Sequence, residues 1–436
     1  MDKRTKIIAT ISDKRCEVEF IRSLYEAGMN AVRINTAHVT TRSAATIVEN
    51  VRRVSEKIAI IIDTKGPEIR LTGMAAGFES GIPIEKGQLV RMKGTAEDRP
   101  SSDQTIYLND PTIYDAVPTG SIILIDDGEL ELQVVDKTDD ELVCEVHNGG
   151  VIKPRKSVNI PGVPIDLPSV TDKDHEFINW AIDMDIDFIA HSFVRKKSDV
   201  LAVKKILKDR NSSIKIISKI ENSEGVDNID EILDETYGIM VARGDLGVEI
   251  PAERIPVTQR LLVKKCIESK KPVIIATQML HTMIEHPRPT RAEISDVANA
   301  IYQRVDAVML SGETANGLYR VEAVATMARV AREIENDEVN NGPNIDMNLV
   351  RINNEITAQL ARSAVRASIN LRVKAIVIDT LSGRTGRYVA AFRGQMPVYA
   401  VCYRKSTMRQ LALSYGVHAI YCEPSVSREG FLLNIL

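Results

Sequence analysis

The chain has 436 residues, and its 56 Lys and Arg against 60 Asp and Glu give a formal net charge of -4 at pH 7. Nucleic-acid-binding domains usually carry a basic excess, and base-stacking surfaces need aromatic side chains, so this charge and the 4% aromatic content argue against a nucleic-acid partner. At about 150 residues per domain, the length predicts about three domains.

Apolar runs and cysteines exclude further classes of protein. The longest apolar runs, such as those at residues 58–62 and 122–125, are far shorter than the roughly 18 residues of a membrane-spanning helix, so we expect no membrane span. No charged and then apolar leader follows Met1, and we therefore predict a cytoplasmic location. The five cysteines lie far apart without CxxC spacing, which argues against a disulfide framework and a cysteine-rich zinc site.

Short runs rich in β-branched residues recur along the chain, and stretches with helical periodicity follow them. Eight such runs lie at residues 6–12, 30–36, 59–65, 187–193, 214–221, 237–244, 271–278 and 304–312. Near-continuous apolar strands that alternate with helices are typical of a parallel sheet, and eight units favour a TIM (β/α)8 barrel over an open doubly wound sheet. Thr290 and Glu293 have the spacing of a capping box and predict a helix start.

One interval in this series is too long for a single βα unit. Successive runs start 23 to 34 residues apart, whereas 128 residues separate the third start from the fourth. The additional stretch contains Gly and Asp turns and short strand-like runs, without a long helical period. We predict an all-β cap domain of residues 69–163, inserted into a barrel domain of residues 1–68 and 164–340.

The pattern starts again near residue 349. A long helical stretch at 349–371 precedes strand-like runs at 374–380, 398–403 and 417–422, with helices between them. We therefore predict a C-terminal α/β domain of residues 349–436, joined to the barrel by an Asn-, Asp-, Gly- and Pro-rich linker at 336–348. The predicted fold class is α/β, a TIM barrel with an inserted β cap and this third domain.

Polar and charged residues gather where the predicted barrel strands end. Active sites of TIM barrels lie at the C-terminal ends of the strands, and charged groups there are costly unless they are paired or bind a ligand. Such residues end six of the strands: Arg33 and Asn35; Asp63, Thr64 and Lys65; Lys219 and Glu221; Arg243 and Asp245; Thr277 and Gln278; Ser311, Glu313 and Thr314.

These residue types indicate a class of reaction. Glu221 and Asp245 supply two carboxylates, and magnesium is commonly held by one or two carboxylates together with substrate oxygens. Arg33, Lys219 and Arg70 supply positive charge suited to a phosphoryl group in transfer. The chain has no P-loop and no protein-kinase HRD or DFG motif, so the pattern predicts metal-assisted phosphoryl transfer between small anions outside the standard nucleotide folds.

Several blocks of the sequence resemble the signatures of pyruvate kinases. They are DTKGPEIR at 63–70, KSVNIPG at 156–162, ISKIEN at 217–222, MVARGDLGVE at 240–249, ATQML at 276–280 and MLSGETA at 309–315. The resemblance extends from about residue 3 to about residue 425. It implies transfer of phosphate from phosphoenolpyruvate to ADP, the last step of glycolysis, followed by protonation of the enolate to pyruvate.

The resemblance also implies roles for individual residues and two kinds of metal ion. The implied catalytic residues are Lys219 and Thr277. The implied substrate contacts are Arg33, Lys219, Gly244, Asp245 and Thr277. The implied Mg2+ (or Mn2+) ligands are Glu221 and Asp245, and the implied K+ ligands are Asn35, Asp63 and Thr64. The implied nucleotide contacts are Arg70, Lys156 and His38.

Three positions near the implied potassium site bear on its strength. Ala37 stands where the family usually has a serine that helps to bind K+, and Val39 replaces a frequent glycine. Glu68 is the residue that potassium-dependent members tend to carry in place of a lysine. We therefore expect activation by K+ that is weakened by the missing hydroxyl at Ala37.

The C-terminal region carries a candidate effector segment. Thr380, Ser382, Gly383 and Arg384 follow a predicted strand and open a helix, where backbone N–H groups, hydroxyls and a guanidinium can bind phosphate. An ordinary strand-to-helix turn is the alternative. The matching segment of pyruvate kinases binds a phosphorylated effector, but this chain stops at Leu436 inside a predicted helix, before the loops that complete that site. We expect a sugar phosphate to activate this chain weakly or not at all. The resemblance also implies a homotetramer.

Two other functions stay open on the residues alone. A barrel lyase that acts on pyruvate or phosphoenolpyruvate could use a metal or could use Lys219 as a Schiff-base amine. A catalytically inactive metabolite sensor is the non-enzymatic alternative, although the full set of Lys219, Glu221, Asp245 and Thr277 argues against it. Lys219 and Glu221 could also form a purely structural buried ion pair.

Overall fold

Three parallel strands and two helices begin the fold in the computed structural model, which describes residues 3–138, 140–341, 346–371 and 373–424. In chain order these elements are β1 (Lys6–Thr10), α1 (Val18–Ala27), β2 (Ala31–Asn35), α2 (Thr41–Val54) and β3 (Ala59–Asp63). The strands are buried along nearly their whole length, as continuous apolar runs predict for a parallel sheet. Gly28 ends α1 at φ 118, a left-handed conformation that glycine adopts without a steric penalty.

A β-rich region interrupts the barrel after β3. Its elements are β4 (Ile82–Ile84), β5 (Leu89–Gly94), β6 (Ile106–Leu108), α3 (Ile113–Ala116), β7 (Ile122–Ile125), β8 (Leu130–Thr138), β9 (Glu141–Val146), β10 (Gly150–Ile152) and β11 (Val158–Asn159). Six strands pair in the order β11-β7-β8-β9-β5-β6, and β10 pairs with β4. Alternate residues of β8, Leu130, Leu132 and Val134, pack into a core separate from that of the barrel. The predicted β-rich insertion is thus present.

The second part of the barrel follows this insertion. Its elements are α4 (Asp172–Asp183), β12 (Phe188–His191), α5 (Lys197–Asp209), β13 (Lys215–Ile220), α6 (Ser223–Asp227), α7 (Ile229–Glu235), β14 (Gly238–Ala242), α8 (Arg243–Glu249), α9 (Ile255–Glu268), β15 (Val273–Ala276), α10 (Arg291–Tyr302), β16 (Ala307–Leu310), α11 (Gly312–Ala315) and α12 (Arg320–Asn341). The capping box predicted at Thr290 and Glu293 is confirmed, since it starts α10.

The eight barrel strands form a closed parallel sheet. Their order is β1-β16-β15-β14-β13-β12-β3-β2, which confirms the predicted TIM barrel. Buried side chains from different strands, among them Ile8, Ile61 and Ile217, form one cluster that fills the interior. Because all eight strands run in the same direction, their C-terminal ends meet at one rim, which we call the barrel rim. The amino-terminal ends meet at the opposite side, which we call the barrel foot.

A three-stranded parallel sheet with helices forms the C-terminal unit. Its elements are α13 (Ile356–Asn370), β17 (Ile376–Thr380), α14 (Arg384–Ala391), β18 (Val398–Cys402), α15 (Lys405–Gln410) and β19 (Val417–Tyr421). The strand order is β17-β18-β19. This arrangement confirms the predicted α/β character of the region. The helix predicted near Leu436 lies outside the described residues.

Two predicted boundaries before this unit are wrong. The predicted linker at 336–348 is helical up to Asn341, because Glu335 and Glu338 fasten the end of α12 to the barrel foot. Glu335 accepts hydrogen bonds from the backbone N–H groups of the two residues just before β1, and Glu338 pairs with Arg304 at 3.0 Å. The helix predicted from residue 349 begins only at Ile356, because the backbone before it runs along the end of α9, where Arg351 N donates to Glu268 O over 2.9 Å.

Buried ion pairs join the C-terminal unit to the barrel foot. Arg393 Nη1 lies 2.8 Å from Asp306 Oδ1, and each side chain is 4% exposed. Arg409 Nε lies 2.5 Å from Asp187 Oδ1, where both side chains are also almost fully buried. Since breaking a buried pair leaves one charge without compensation, these contacts hold the C-terminal unit firmly at the end of the barrel opposite the rim.

Candidate active site

Lys219 lies at the centre of a cluster of charges at the barrel rim. It is the fifth residue of β13, and its buried ammonium nitrogen Nζ is 2.8 Å from Glu221 Oε1 and 3.3 Å from Asp63 Oδ2. The same nitrogen donates a hydrogen bond to Ser192 Oγ over 2.9 Å. Ser192 was not among the predicted site residues, although it lies near the end of the fourth predicted run, directly after β12, and could have been found by its position there.

The surrounding carboxylates keep Lys219 charged. Burial by itself opposes a charge on this ammonium, but Asp63 and Glu221 outweigh that effect and raise the pKa of Lys219 above its usual range. Burial likewise opposes ionisation of Asp63, but Arg33 and Lys219 hold the pKa of that carboxyl below its ordinary value. The site therefore contains fixed charges at neutral pH. A Schiff-base nucleophile must be a neutral amine, so this environment does not suit that role for Lys219.

Arg33 approaches Asp63 from the neighbouring strand β2. Its guanidinium forms an ion pair with Asp63 Oδ2 and donates to Thr10 Oγ1 over 3.3 Å. The second carboxylate oxygen, Asp63 Oδ1, is buried and has no hydrogen-bond partner among the described residues. A buried oxygen of this kind is costly unless a ligand completes its environment, so it marks a position suited to a cation.

Glu221 and Asp245 form a pair of carboxyl groups between β13 and the start of α8. Glu221 Oε2 accepts a hydrogen bond from Phe193 N over 2.7 Å, and its side chain is 1% exposed. Burial first, and then the charge and hydrogen bond of Glu221, raise the pKa of Asp245 to about 7. Two carboxyl groups this close share a proton unless a cation takes its place.

This pair fits a magnesium or manganese ion. Mg2+ is usually bound through one or two carboxylates, while water and substrate oxygens complete its coordination. Within the described ranges, the structure holds no group of three or more His, Cys, Asp or Glu side chains placed to bind a metal. Glu221 and Asp245 would therefore supply two ligands to the ion, and oxygens of the substrate and of water would supply the others.

Thr277 and Gly244 lie beside this pair at the ends of β15 and β14. Thr277 Oγ1 accepts a hydrogen bond from Gly244 N over 2.8 Å and donates one to Ala276 O over 2.7 Å. Thr277 and Gln278 have φ values of 69 and 53, in the left-handed region that side-chain-bearing residues rarely adopt. Backbone strain of this kind persists where the surrounding structure requires it and is common at active sites.

The other residues of the implied potassium site lie around Asp63. Asn35 ends β2, and its Oδ1 accepts a hydrogen bond from Ala37 N over 3.1 Å. Thr64 Oγ1 accepts one from Ser192 N over 2.9 Å. The strand register pairs Asn35 directly with Asp63. The structure therefore brings these residues together at one part of the rim.

The implied nucleotide contacts lie at the edge of this cluster. Arg70 Nε is 2.7 Å from Glu68 Oε2, and Lys156 Nζ is 2.8 Å from Asp126 Oδ1. His38 is exposed in the turn after β2, and its side chain makes no hydrogen bond with the described part of the chain. None of the three contacts Lys219, so the structure does not place them in the central group.

A cavity of about 400 Å³ separates the β-rich insertion from the barrel rim. Its lining includes Glu68, Asp127 and Asn159 from the insertion side and Glu221 and Asp245 from the rim. This volume lies in the range of small-molecule sites, and acidic groups line both sides of it. Access to the charged cluster thus runs between these two parts of the fold.

The candidate effector segment lies away from this cavity, in the C-terminal unit. Thr380 Oγ1 accepts a hydrogen bond from Gly383 N over 3.0 Å, and Gly383 has a φ of 77 that allows the sharp turn. Ser382 and Arg384 are exposed, and Arg384 is the first residue of α14. The segment is therefore a strand-to-helix turn in which Ser382 and Arg384 face solvent and Thr380 is buried.

Comparison with known proteins decides the family. A model described as the pyruvate kinase barrel domain matches residues 2–324, and one described as the pyruvate kinase alpha/beta domain matches residues 358–435. A pyruvate kinase of Borreliella burgdorferi is 47% identical over 428 residues, which cover 96% of this chain and 86% of the relative. The chain belongs to the pyruvate kinase family.

Further pyruvate kinases match over a similar extent. That of Geobacillus stearothermophilus is 46% identical over 426 residues, covering 96% of this chain and 71% of the relative. That of Staphylococcus saprophyticus is 43% identical over 440 residues, covering 99% and 74% respectively. The predicted resemblance is confirmed, and family membership decides against the barrel-lyase and inactive-sensor alternatives.

Membership in the pyruvate kinase family establishes the activity of this chain. It is a phosphotransferase that moves the phosphoryl group of phosphoenolpyruvate to ADP, which yields pyruvate and ATP. The family as a whole implies dependence on a divalent metal and on K+. No helix in the described ranges is both long enough and apolar enough to cross a membrane.

Proposed function

We propose that phosphoryl transfer takes place at the cluster around Lys219. The observation that carries this proposal is the buried, permanently charged ammonium of Lys219 between Asp63 and Glu221. A fixed cation in a site with little water stabilises negative charge that develops on phosphoryl oxygens and on an enolate. Lys219 is therefore the catalytic residue that offsets this charge.

Arg33, Gly244 and Thr277 hold phosphoenolpyruvate in this proposal. The Arg33 guanidinium binds the phosphate of the substrate beside Lys219, since its Nε is buried without a hydrogen-bond partner among the described residues. Gly244 N and Thr277 Oγ1 bind its carboxylate at the opposite side of the cluster. The Thr277 hydroxyl is also the group that holds a proton within reach of the enolate carbon.

Glu221 and Asp245 bind the divalent ion, Mg2+ or Mn2+. The proximity of the two carboxyl groups and the raised pKa of Asp245 support this assignment, because bound metal removes the need for a shared proton. When bound there, the ion would neutralise phosphate charge and orient the substrates. Asp245 also lines the substrate side of the site.

Arg70, Lys156 and His38 serve the nucleotide in this proposal. Arg70 and Lys156 each form an ion pair, and the side chain of each is more than a third exposed. Because exposed ion pairs contribute little free energy, each residue can exchange its carboxylate partner for an ADP phosphate at low cost. His38 reaches the same edge from the turn after β2. Closure of the β-rich insertion over the rim brings these residues to the phosphates.

A direct assay tests the reaction. Purified protein is supplied with phosphoenolpyruvate, ADP, magnesium and potassium, and both pyruvate and ATP are measured. We expect equal amounts of the two products, with none when phosphoenolpyruvate, ADP or magnesium is omitted. Pyruvate without ATP, or borohydride trapping of pyruvate on Lys219, would contradict the proposal.

Potassium dependence is a further part of the proposal. Asn35, Asp63 and Thr64 supply oxygens for K+, and the unpartnered Asp63 Oδ1 supports this. Ala37 contributes no hydroxyl to this group, and a hydroxyl there adds an uncharged oxygen ligand. We expect Ala37→Ser to lower the K+ concentration for half-maximal rate several-fold, as measured by titrating KCl at constant ionic strength.

The matched control for this titration is Ala76→Ser, at an exposed position of the insertion. It is expected to leave the K+ requirement unchanged. Full activity of the unmodified protein without K+ would exclude the proposed site.

The C-terminal segment Thr380, Ser382, Gly383 and Arg384 is proposed to bind the phosphate of a sugar-phosphate effector. In this segment the side chains of Ser382 and Arg384 are exposed, whereas Thr380 Oγ1 already accepts a hydrogen bond from Gly383 N. We therefore expect only a small leftward shift of the phosphoenolpyruvate saturation curve at millimolar effector. Arg384→Ala is expected to abolish it, whereas Arg366→Ala, at an exposed position of α13, is expected to retain it.

A strong shift that survives in Arg384→Ala would place the effector elsewhere. We also propose a homotetramer, testable by mass in solution, and a cytoplasmic location. The proposed domain limits are 1–68 with 164–340 for the barrel, 69–163 for the cap and 349–436 for the C-terminal domain.

A further inference from the structure

A second cavity lies at the barrel foot, far from the charged cluster at the rim. Its volume is about 630 Å³. It is bounded by α5, by the residues that start β13 and β14, by Lys271 before β15 and by Arg387 of α14. We call it the foot cavity. It therefore lies between the barrel and the C-terminal unit.

Basic side chains dominate the lining of the foot cavity. Five of its lining residues carry a positive charge and one a negative charge: Lys204, Lys208, Lys215, Lys271 and Arg387 against Glu235. Glu235 is already engaged, at 2.6 Å from Lys204 Nζ and 2.8 Å from Lys197 Nζ. Glu235 is therefore paired with Lys197 and Lys204 and does not compensate the other cations of the lining.

Lys215 and Arg387 form no ion pair with an anionic side chain among the described residues. Lys215 makes no side-chain hydrogen bond or ion pair within the described part of the chain. The guanidinium of Arg387 lies over the ring of Tyr237, 4.5 Å from its centre, and its Nε is buried with no hydrogen-bond partner among the described residues. A buried donor without an acceptor is costly, and such positions in a cavity commonly await a ligand.

The lining cations also act on one another. Lys271 Nζ donates to Thr236 O over 2.7 Å. Burial, followed by the charges of Arg387 and Lys204, lowers the pKa of Lys271 to about 8. Burial and Arg387 lower the pKa of Lys215 as well. Mutual repulsion inside a partly buried space stores unfavourable energy that a bound anion would remove.

We propose that the foot cavity binds a small phosphate monoester, held by Lys215 and Lys271 from the barrel and by Arg387 from the C-terminal unit. A dianion there satisfies the buried Arg387 donor and offsets the repulsion between the cations. The volume accommodates a phosphorylated metabolite of the size of a pentose phosphate. This site is separate from the rim and from the turn at Thr380–Arg384, and it does not depend on the roles proposed for either.

Binding in the foot cavity connects the two parts of the fold. Lys215 and Lys271 lie at the start of the barrel strands, whereas Arg387 belongs to α14. A ligand that contacts both strengthens their attachment and stabilises the native state by mass action. We therefore expect it to raise the melting temperature of the whole protein.

Calorimetric titration tests the proposal with ribose 5-phosphate as the probe, in magnesium-free buffer. Arg387→Gln changes the side of the cavity formed by the C-terminal unit, and Lys215→Gln changes the side formed by the barrel. Each variant is expected to weaken binding of ribose 5-phosphate at least tenfold. Lys205→Gln, at an exposed position of α5, serves as the matched control and is expected to retain it. Ribose is expected not to bind, and citrate distinguishes a phosphate-specific site from one for polycarboxylates.

Each contrary result would overturn the proposal. Binding that survives in Arg387→Gln and Lys215→Gln, or that is lost in Arg384→Gln or in Arg33→Gln, places the probe elsewhere. A preference for citrate over ribose 5-phosphate contradicts the proposed ligand class. A second measurement compares melting temperatures without and with ribose 5-phosphate. Without it, Lys215→Gln is expected to raise the melting temperature, because it relieves repulsion. With it, Lys215→Gln is expected to abolish the stabilisation by ribose 5-phosphate. A lower melting temperature of this variant contradicts the premise of uncompensated charge.

Discussion

Replacement of Lys219 by methionine is expected to lower kcat by roughly 10³-fold or more. The methionine side chain has a similar length and no charge, so the variant loses the ammonium that lies 2.8 Å from Glu221 and 3.3 Å from Asp63. Charge that develops on the phosphoryl oxygens and the enolate then has no fixed lysine cation beside it. The rate of pyruvate formation at saturating substrates and metal measures this effect.

The control for this variant is Lys205→Met, which removes a lysine from an exposed position of α5. It is expected to keep kcat within about twofold, as exposed positions away from a site usually tolerate substitution. Retained Mn2+ binding and an unchanged circular dichroism spectrum of Lys219→Met would show that its fold and its carboxylates are intact. Near-normal turnover of the folded variant would remove Lys219 from the mechanism.

Asp245→Asn is expected to raise the Kd for Mn2+ at least tenfold and to lower kcat by about 10²-fold at saturating metal. An amide has the shape of the carboxyl group but cannot supply its charge, so the ion is held by Glu221 and by substrate oxygens alone. The asparagine amide can still donate a hydrogen bond to Glu221, so the variant keeps a contact between the two side chains. Electron paramagnetic resonance of free Mn2+ gives the Kd directly.

Asp209→Asn is the matched control for this measurement, because Asp209 lies at the exposed end of α5. Its Kd and kcat are expected to equal those of the unmodified protein. An Asp245→Asn variant that binds Mn2+ normally would assign the ion to a different set of ligands, and Glu221→Gln would then be the variant to compare.

The barrel could be predicted because its signal is local. Each strand is a continuous apolar run, and each helix that follows has its own periodicity and, for α10, its own capping box at Thr290. The wrong boundaries have a different origin. α12 extends through a polar, loop-like segment because Glu335 and Glu338 bond to residues at the far end of the chain and at the barrel foot. Contacts between distant parts of the chain override local preference there.

The site was partly predictable for the same reason. Lys219, Glu221 and Asp245 could be identified because parallel strands place their C-terminal ends at one rim. Residues that end different strands of the barrel therefore lie close together in space. Ser192 was missed, since a serine after a strand is common and only the distance of 2.9 Å to Lys219 distinguishes it. The raised pKa of Asp245 beside Glu221 likewise depends on burial and spacing that no local pattern contains.

By itself, the order of residues determined the fold class, the β-rich insertion and the family, since all three follow from runs, intervals and motifs along the chain. Only the tertiary structure decided which charges compensate one another. Lys219 meets two carboxylates at the rim, whereas Lys215, four residues earlier on the same strand, lies within the electrostatic influence of Arg387 and forms no ion pair with a described residue. The physical reason is that electrostatic energy depends on distance and burial, and both are set by chain segments far apart in sequence.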